Sequence, residues 1–203
     1  MLVALLAACQ HPVVIKDPEI LTYFESLPAG DTMQVECEGD TVAGKIIPNA
    51  LFFTTVPATL LLEIDYVADS SQATVFGRQQ FPLNDSITAC WFETRQFWFN
   101  HHSLLLYNQR QKAFTDRVTL AEWYGGDGGQ TLTGSWLCDF DGDGQKDIVR
   151  REIQHSLVPG EEEPVERLEE SATLLLWRNG HFVETPFPDT AALIRRFPIR
   201  SSW

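Results

Sequence analysis

The sequence predicts a mainly β protein built from repeated antiparallel hairpins, arranged as a propeller-like or sandwich-like sheet with a short helix near each end. Three observations lead there. Aromatic residues are plentiful, with thirteen Phe and six Trp, and Thr and Val recur, a composition that suits a pleated, half-buried surface. Between residue 32 and about residue 185 short apolar or alternating runs follow one another, separated by Gly, Pro, Asn and Asp. Helical spacing is confined to the two ends. At 203 residues and 44% hydrophobic content, the chain can bury a substantial core as one domain.

The elements follow in order. "KDPEILTYFESLP" (16–28) reads as a helix, with Asp17 as N-cap, Pro18 at the first helical position and Pro28 just beyond its end. Ile20, Leu21, Phe24 and Leu27 form its single apolar stripe. "TMQVECEG", "GKIIPNALFFTT", "ATLLLEIDYVA", "ATVFGRQQF", "SITACWFET", "QFWFNHHSLLLYN" and "DRVTLAEWYGG" read as strands, and "PDTAALIRRF" (188–197) as a closing helix capped by Asp189. "SLLLYNQRQKAF" (103–114) resembles "TLLLWRNGHF" (173–182), and "PATLLL" (57–62) echoes "SATLLL" (171–176). Each reads as a hairpin whose aromatic and Phe pack across the strands; Leu triplets are also common by chance in β proteins. "PGEEEPVERLEE" (159–170) reads as a solvated hairpin loop, and "YGGDGGQ" (124–130) as a hairpin tip without the spacing of a phosphate loop.

The formal net charge is −13, from 28 acidic against 15 basic side chains. Such a field repels phosphate backbones, which argues against nucleic acid and for a basic protein or a divalent cation; much of the excess serves solubility. The sequence has no G-x-S-x-G, H-E-x-x-H or C-x-x-C. His101 and His102 are adjacent, so in a strand they face opposite ways and cannot chelate one ion; a bend before "SLLLY" is their expected place. His155 and His181 stand alone. Trp91, Trp98, Trp123, Trp136 and Trp177 read mainly as core, with one or two available to line a binding face.

One stretch carries specific chemistry. In "LCDFDGDGQKDIV" (137–149), Asp139, Asp141, Asp143 and Asp147 occupy positions 1, 3, 5 and 9 of a turn, with Gly144 at position 6. Crowded carboxylates repel one another, and a hard cation with six to eight oxygen ligands relieves this. Ca²⁺ suits the pattern better than Mg²⁺, with the Gln145 main-chain carbonyl at position 7. The alternative is a polar Asp-Gly turn without metal. An EF-hand is incomplete here, because Arg150 stands at position 12 and strands flank the loop. The stretch resembles the calcium loops of FG-GAP/VCBS-type, integrin-α-like repeats, D-x-D-x-D-G-x-x-D between strands. That resemblance spans roughly residues 103–183 and implies Asp139, Asp141, Asp143 and Asp147 as side-chain ligands of a structural ion. A catalytic metal keeps an open position, which such a filled ligand set does not leave.

The amino end bears on location. Leu2–Ala8 is apolar, too short to span a bilayer, and ends in small residues before Cys9. Leu6-Ala7-Ala8-Cys9 resembles a bacterial lipobox, although no Lys or Arg precedes the apolar run. The resemblance implies that residues 1–8 are a signal-peptide remnant, that Cys9 carries lipid, and that residues 9–203 are the mature domain. Gln10 resembles the residue that directs such lipoproteins to the outer membrane. Of the remaining cysteines, an exported protein allows one disulfide, Cys37 with Cys90, plus a thiol at Cys138, or three buried thiols.

The expectation is therefore a non-enzymatic, calcium-stabilised lipoprotein of the bacterial envelope, facing the periplasm or exterior and binding a protein or ligand. The alternative is an inhibitor or immunity protein of a cell-wall hydrolase, since some periplasmic lysozyme inhibitors resemble this plan and acidic charge steers encounter with a basic enzyme. A third possibility is an envelope hydrolase that uses paired acidic side chains.

Overall fold

The structure, a computed structural model, describes residues 17–27, 32–37, 44–62, 64, 72–97, 99–126, 128–160 and 163–200. Residues 1–8, Cys9 and Trp98 lie outside the described residues. The fold is mainly β: among the described residues eleven strands form one largely antiparallel sheet that does not close. Its body is a meander in chain order, β4 (Thr74–Pro82), β5 (Ile87–Gln96), β6 (Phe99–Asn108), β7 (Ala113–Gly126), β8 (Gly129–Cys138), β9 (Asp147–Val158), β10 (Val165–Arg178) and β11 (His181–Thr185). Three short strands from the N-terminal part complete it. β1 (Glu25–Ser26) runs parallel to β4, β3 (Lys45–Ile47) pairs with β4, and β2 (Met33–Val35) pairs with β8.

The paired hairpins are built as their sequences suggest. Tyr107 lies opposite Phe114, with ring centroids 5.4 Å apart, and Trp177 opposite Phe182 at 4.9 Å. The second hairpin turns through Asn179 and Gly180, both at positive φ, the Asn-Gly signature of a tight turn whose twist matches the strands.

Period-two alternation sends β5 and β6 side chains to two cores. Ala89, Trp91, Leu104 and Leu106 join a cluster with Leu137, Ile148 and Leu175, whereas Cys90, Phe92, Leu105 and Tyr107 join Ile20, Ile47 and Phe52 on the other face. This separates the cysteines. Cys37 packs against the first cluster and gives a hydrogen bond to the Asn100 carbonyl, while Cys90 is buried in the second. Cys37, Cys90 and Cys138 are all thiols, so the Cys37–Cys90 disulfide is not formed; of the three buried thiols expected in its place only Cys90 is buried, with Cys37 and Cys138 half-buried.

Several elements differ from expectation. The segment expected as a helix from Asp17 is a 3₁₀ turn at Glu19–Tyr23, because Glu25 and Ser26 extend to pair with Gln79 and Gln80. "PNALFFTT" is not strand: Asn49–Thr55 is a helix, α1, entered through Pro48, and Ala58–Leu60 is a second 3₁₀ turn. The echo of "PATLLL" with "SATLLL" thus joins a helical turn to a strand. Residues 165–170 of the acidic segment are strand β10 rather than loop, exposed throughout. The closing helix, α2 (Thr190–Arg196), is as expected, with the Asp189 carboxylate accepting the Ala192 N–H. No helix among the described residues is long and apolar enough to cross a membrane.

A third cluster, of Val149, Leu174, Leu193 and Phe197 with Trp136 and Phe140 against it, seats α2 on β8–β10. Arg151 fastens it. This buried side chain donates to the carbonyls of Ser171, Ile194 and Phe197 and pairs with Glu170, so it caps the last turn of α2 from within the sheet.

Candidate metal centre

The aspartate turn joins β8 to β9, between strands as its flanking sequences predict. Its backbone is folded by its own carboxylates. Asp139 accepts the N–H groups of Gly142 and Gly144 at 2.8 and 3.0 Å, Asp141 that of Asp143, and Asp143 that of Gln145. Gly142 and Gly144 have φ of +80° and +83°, where a Cβ is strained, so both glycines of the motif serve the turn.

Asp147 differs from the rest. It is fully buried at the first position of β9, and its two oxygens accept the N–H of Phe140 at 3.0 Å and that of Trp177 at 2.8 Å. One side chain thereby ties the start of the turn to β10. Burial raises its carboxyl above the usual range against the pull of those two N–H groups, with Asp141 and Asp143 adding to the rise.

Asp139, Asp141 and Asp147 each present an oxygen within 4.8 Å of the others. Oxygens that share one Ca²⁺ at its usual bond lengths lie no more than about 5 Å apart, so this donor set fits such an ion in size and hardness. Asp143, the fourth expected ligand, stands outside that trio. Gln145 joins the turn through its N–H.

Sequence reasoning overlooked Arg178. It reaches from the end of β10, giving hydrogen bonds to Asp141 and, at 2.9 Å, to Asp143. The guanidinium holds Asp141 below the usual carboxylate range, and its own charge is favoured in return. The signal was present in the hairpin register. Leu175 opposite Ile148 sets the end of β10 beside the turn, and Arg178 follows three residues later.

The other sequence candidates are dispersed. His101 and His102 lie inside β6, buried, not at a bend, because both neighbouring strands cover them. They do face opposite ways. His102 Nδ1 accepts the Trp91 indole N–H, while His101 Nε2 lies 2.7 Å from Ser103 Oγ and Nδ1 lies 3.3 Å from Glu122. Serine, histidine and carboxylate in that order match a hydrolase triad in connectivity. Here Ser103 has no exposed surface, and its hydroxyl also accepts from Arg117, so the group is a polar relay inside the sheet. His155 lies 4.0 Å from Glu166 at the far end of β9.

Comparisons with protein-family models, with curated proteins and with solved structures find no match.

Proposed function

We propose that this chain is a calcium-stabilised, non-enzymatic binding module of the bacterial envelope, anchored through lipid on Cys9 after loss of residues 1–8. The observation that carries the calcium part is the convergence of Asp139, Asp141 and Asp147 within 4.8 Å, with Asp147 buried and bridging two elements. The ion would be held by Asp139, Asp141 and Asp147, with Asp143 and the Gln145 carbonyl completing the shell in the manner of the FG-GAP/VCBS loops. It would supply charge neutralisation and a fixed crossing between β8, β9 and β10. The apolar residues before Cys9 support the anchor, with Gln10 favouring the outer membrane.

The test is thermal unfolding with calcium and with chelator. Calcium at a hundred times its dissociation constant adds about 2.7 kcal/mol. For a chain of this size that raises Tm by roughly 5–10 °C. An unchanged Tm assigns charge compensation in the turn to Arg178 alone and removes the metal.

A second reading has its own observation. β10 is exposed from Val165 to Ser171 and carries Glu166, Glu169 and Glu170 there beside Arg167, which pairs with Glu169, so the arm is acidic on balance and suited to a basic partner. On that reading the chain inhibits a basic cell-wall hydrolase, and purified protein slows lysis in a turbidity assay. Undiminished lysis across several hydrolases removes it.

A further inference from the structure

The two ends of the meander differ in character. The turns β4–β5, β6–β7, β8–β9 and β10–β11 share one end and are polar: Asn84, Asp85 and Ser86 in the first, Gln109, Arg110, Gln111 and Lys112 in the second, the aspartate turn and Asn179-Gly180 in the others. At the other end large apolar side chains are exposed. Phe97 stands at the turn after β5, Tyr124 near the tip of β7, and Leu157, Val165 and Leu168 on the β9–β10 hairpin. The register brings them to one level, since Asn100 pairs with Trp123, and Gln130 with His155, which pairs with Leu168. Phe97 is held at φ +56° in a two-residue turn, a place that favours Asn or Gly. An aromatic kept exposed at a strained position points to contact as its use.

Between the β7–β8 tip and β9 this apolar end holds a cavity of about 420 Å³, walled by Trp123, Tyr124 and Leu157 with Gln130 and His155 among them. Glycines make the room. Gly125, at φ +144°, lets the tip close, since a Cβ there would collide with the Gly129 carbonyl oxygen. The Trp123 indole N–H donates to Gln130 at 3.2 Å, which fixes the ring. Glu166 lies directly opposite Leu157 in the ladder, hence on the same face, its carboxylate exposed and 4.0 Å from His155.

Charge decides what fits. The chain carries −13, and residues 159–170, at this end, hold six Glu against one Arg. Aromatic rings beside a carboxylate suit both the apolar stem and the cationic head of a basic side chain. Lipid is the other surface that apolar tips suit, and chain length argues against it. Asp17 is fixed at the polar end, its carboxylate accepting from the Tyr107 hydroxyl at 3.2 Å and from Lys112 at 2.5 Å. Cys9 precedes it by eight residues, which span at most about 29 Å. β7 is fourteen residues long and runs from that end to the other, a rise of about 46 Å. Standing end-on, the apolar tips are thus out of reach of a membrane that holds Cys9.

We propose that the apolar end docks a basic protein partner, an Arg or Lys side chain of which enters the cavity between Trp123, Tyr124 and Leu157 toward Glu166, with Phe97 and Leu168 meeting apolar residues around it. The proposal rests on the lipid-anchored binding-module reading, gives it a face and a partner chemistry, and is independent of the metal.

The experiment titrates the full chain with labelled acetyl-Leu-Arg-Phe-Arg-Leu-amide, with its twin carrying citrulline for both arginines, and with vesicles of phosphatidylcholine and phosphatidylglycerol, following anisotropy and co-sedimentation. The Arg peptide is expected to bind with a dissociation constant of about 1 mM or tighter, and the uncharged twin about tenfold more weakly or worse. Tyr124→Ala, at an exposed position, should weaken the Arg peptide about fivefold. Glu166→Gln should weaken it about threefold and leave the citrulline twin unchanged. Equal binding of the two peptides, no binding of the Arg peptide, or binding unchanged in both variants overturns the proposal, as does vesicle binding that Tyr124→Ala abolishes. Hydrolase inhibition that neither variant alters removes this face and leaves the binding-module reading standing. Peptide binding as expected with no hydrolase slowed supports the face and removes only the inhibitor reading.

Discussion

Asp147 offers the sharpest test of how the aspartate turn is joined to the sheet, and it can be run with no metal present. Replacement by Ala leaves the half-buried N–H of Phe140 and the buried N–H of Trp177 without their acceptor. Hydrogen bonds to a charged group contribute about 1.5–3 kcal/mol each. Two of them amount to about 3–6 kcal/mol, from which the relief of desolvating a buried carboxylate must be subtracted, so a net loss of about 2–4 kcal/mol is expected. Asp147→Asn is the more informative variant. Its amide oxygen satisfies one N–H, but its NH₂ group meets the other, donor against donor. The near-isosteric change should therefore cost about 2–3 kcal/mol, close to the Ala value, although it preserves shape and removes a charge that burial disfavours. The assay is urea unfolding in chelator, followed by circular dichroism and Trp fluorescence together, with the midpoint shifting at constant m-value. An Asn variant within about 0.5 kcal/mol of the parent would refute the bridging role, because surface substitutions span that range.

The other predictions concern charges around the same framework. Arg178→Gln removes the guanidinium from Asp141 and Asp143, so titration calorimetry should show tighter calcium binding than in the parent; weaker binding would mean that Arg178 supports the ion instead of competing with it. Arg151→Met strands the carbonyls of Ser171, Ile194 and Phe197 and should cost about 3 kcal/mol, with amide exchange accelerated first in α2. Stability should also fall on mild acidification. Burial lowers the pKa of His101 despite Glu122, and lowers that of His102 well below the usual value, helped by Arg78, His101 and Arg95. In the fold His102 resists protonation and His101 takes up its proton at lower pH than a free imidazole, while the unfolded imidazoles take up protons below about pH 6.5, so stability present above that pH is lost as pH drops through the window beneath it. The slope reaches at most about 2.7 kcal/mol per pH unit for the two together, read by urea midpoints at about pH 7.5 and 5.5, and the His102→Gln variant should flatten it.

The parts of this fold that were legible in the sequence are those where local chemistry and global topology agree. Tyr107 with Phe114 and Trp177 with Phe182 mark hairpins because a turn fixes their register, and Asn179-Gly180 names the turn itself. Asp189 reads as a cap for the same reason. The α1 segment was misread because "ALFFTT" is short and apolar, and a run of that length satisfies strand and helix periodicity alike; Pro48 ahead of Asn49 was the overlooked start signal. The aspartate spacing disclosed the turn, and Gly142 and Gly144 its shape, but not Arg178, which reaches it through the pairing of β9 and β10. The buried pairs of β5 and β6 were hidden for a related reason. Nothing local to Glu93 or His102 reveals that other strands cover them.

The pairing of β8 has a consequence for the order of assembly. From Gly129 to Thr133 one edge of β8 lies on β7, but from Ser135 to Leu137 that same edge is taken by β2, about a hundred residues earlier in the chain. The meander from β4 to β11 needs only sequence neighbours, whereas β2 pairs where β8 has parted from β7, across a long stretch of chain. On loop-closure grounds β2 is thus expected to dock late, a long closure at the end of an otherwise local process. Until it does, the half of β8 that leads into the aspartate turn stays open on one side, and the turn's rigidity is inherited from a segment synthesised long before it.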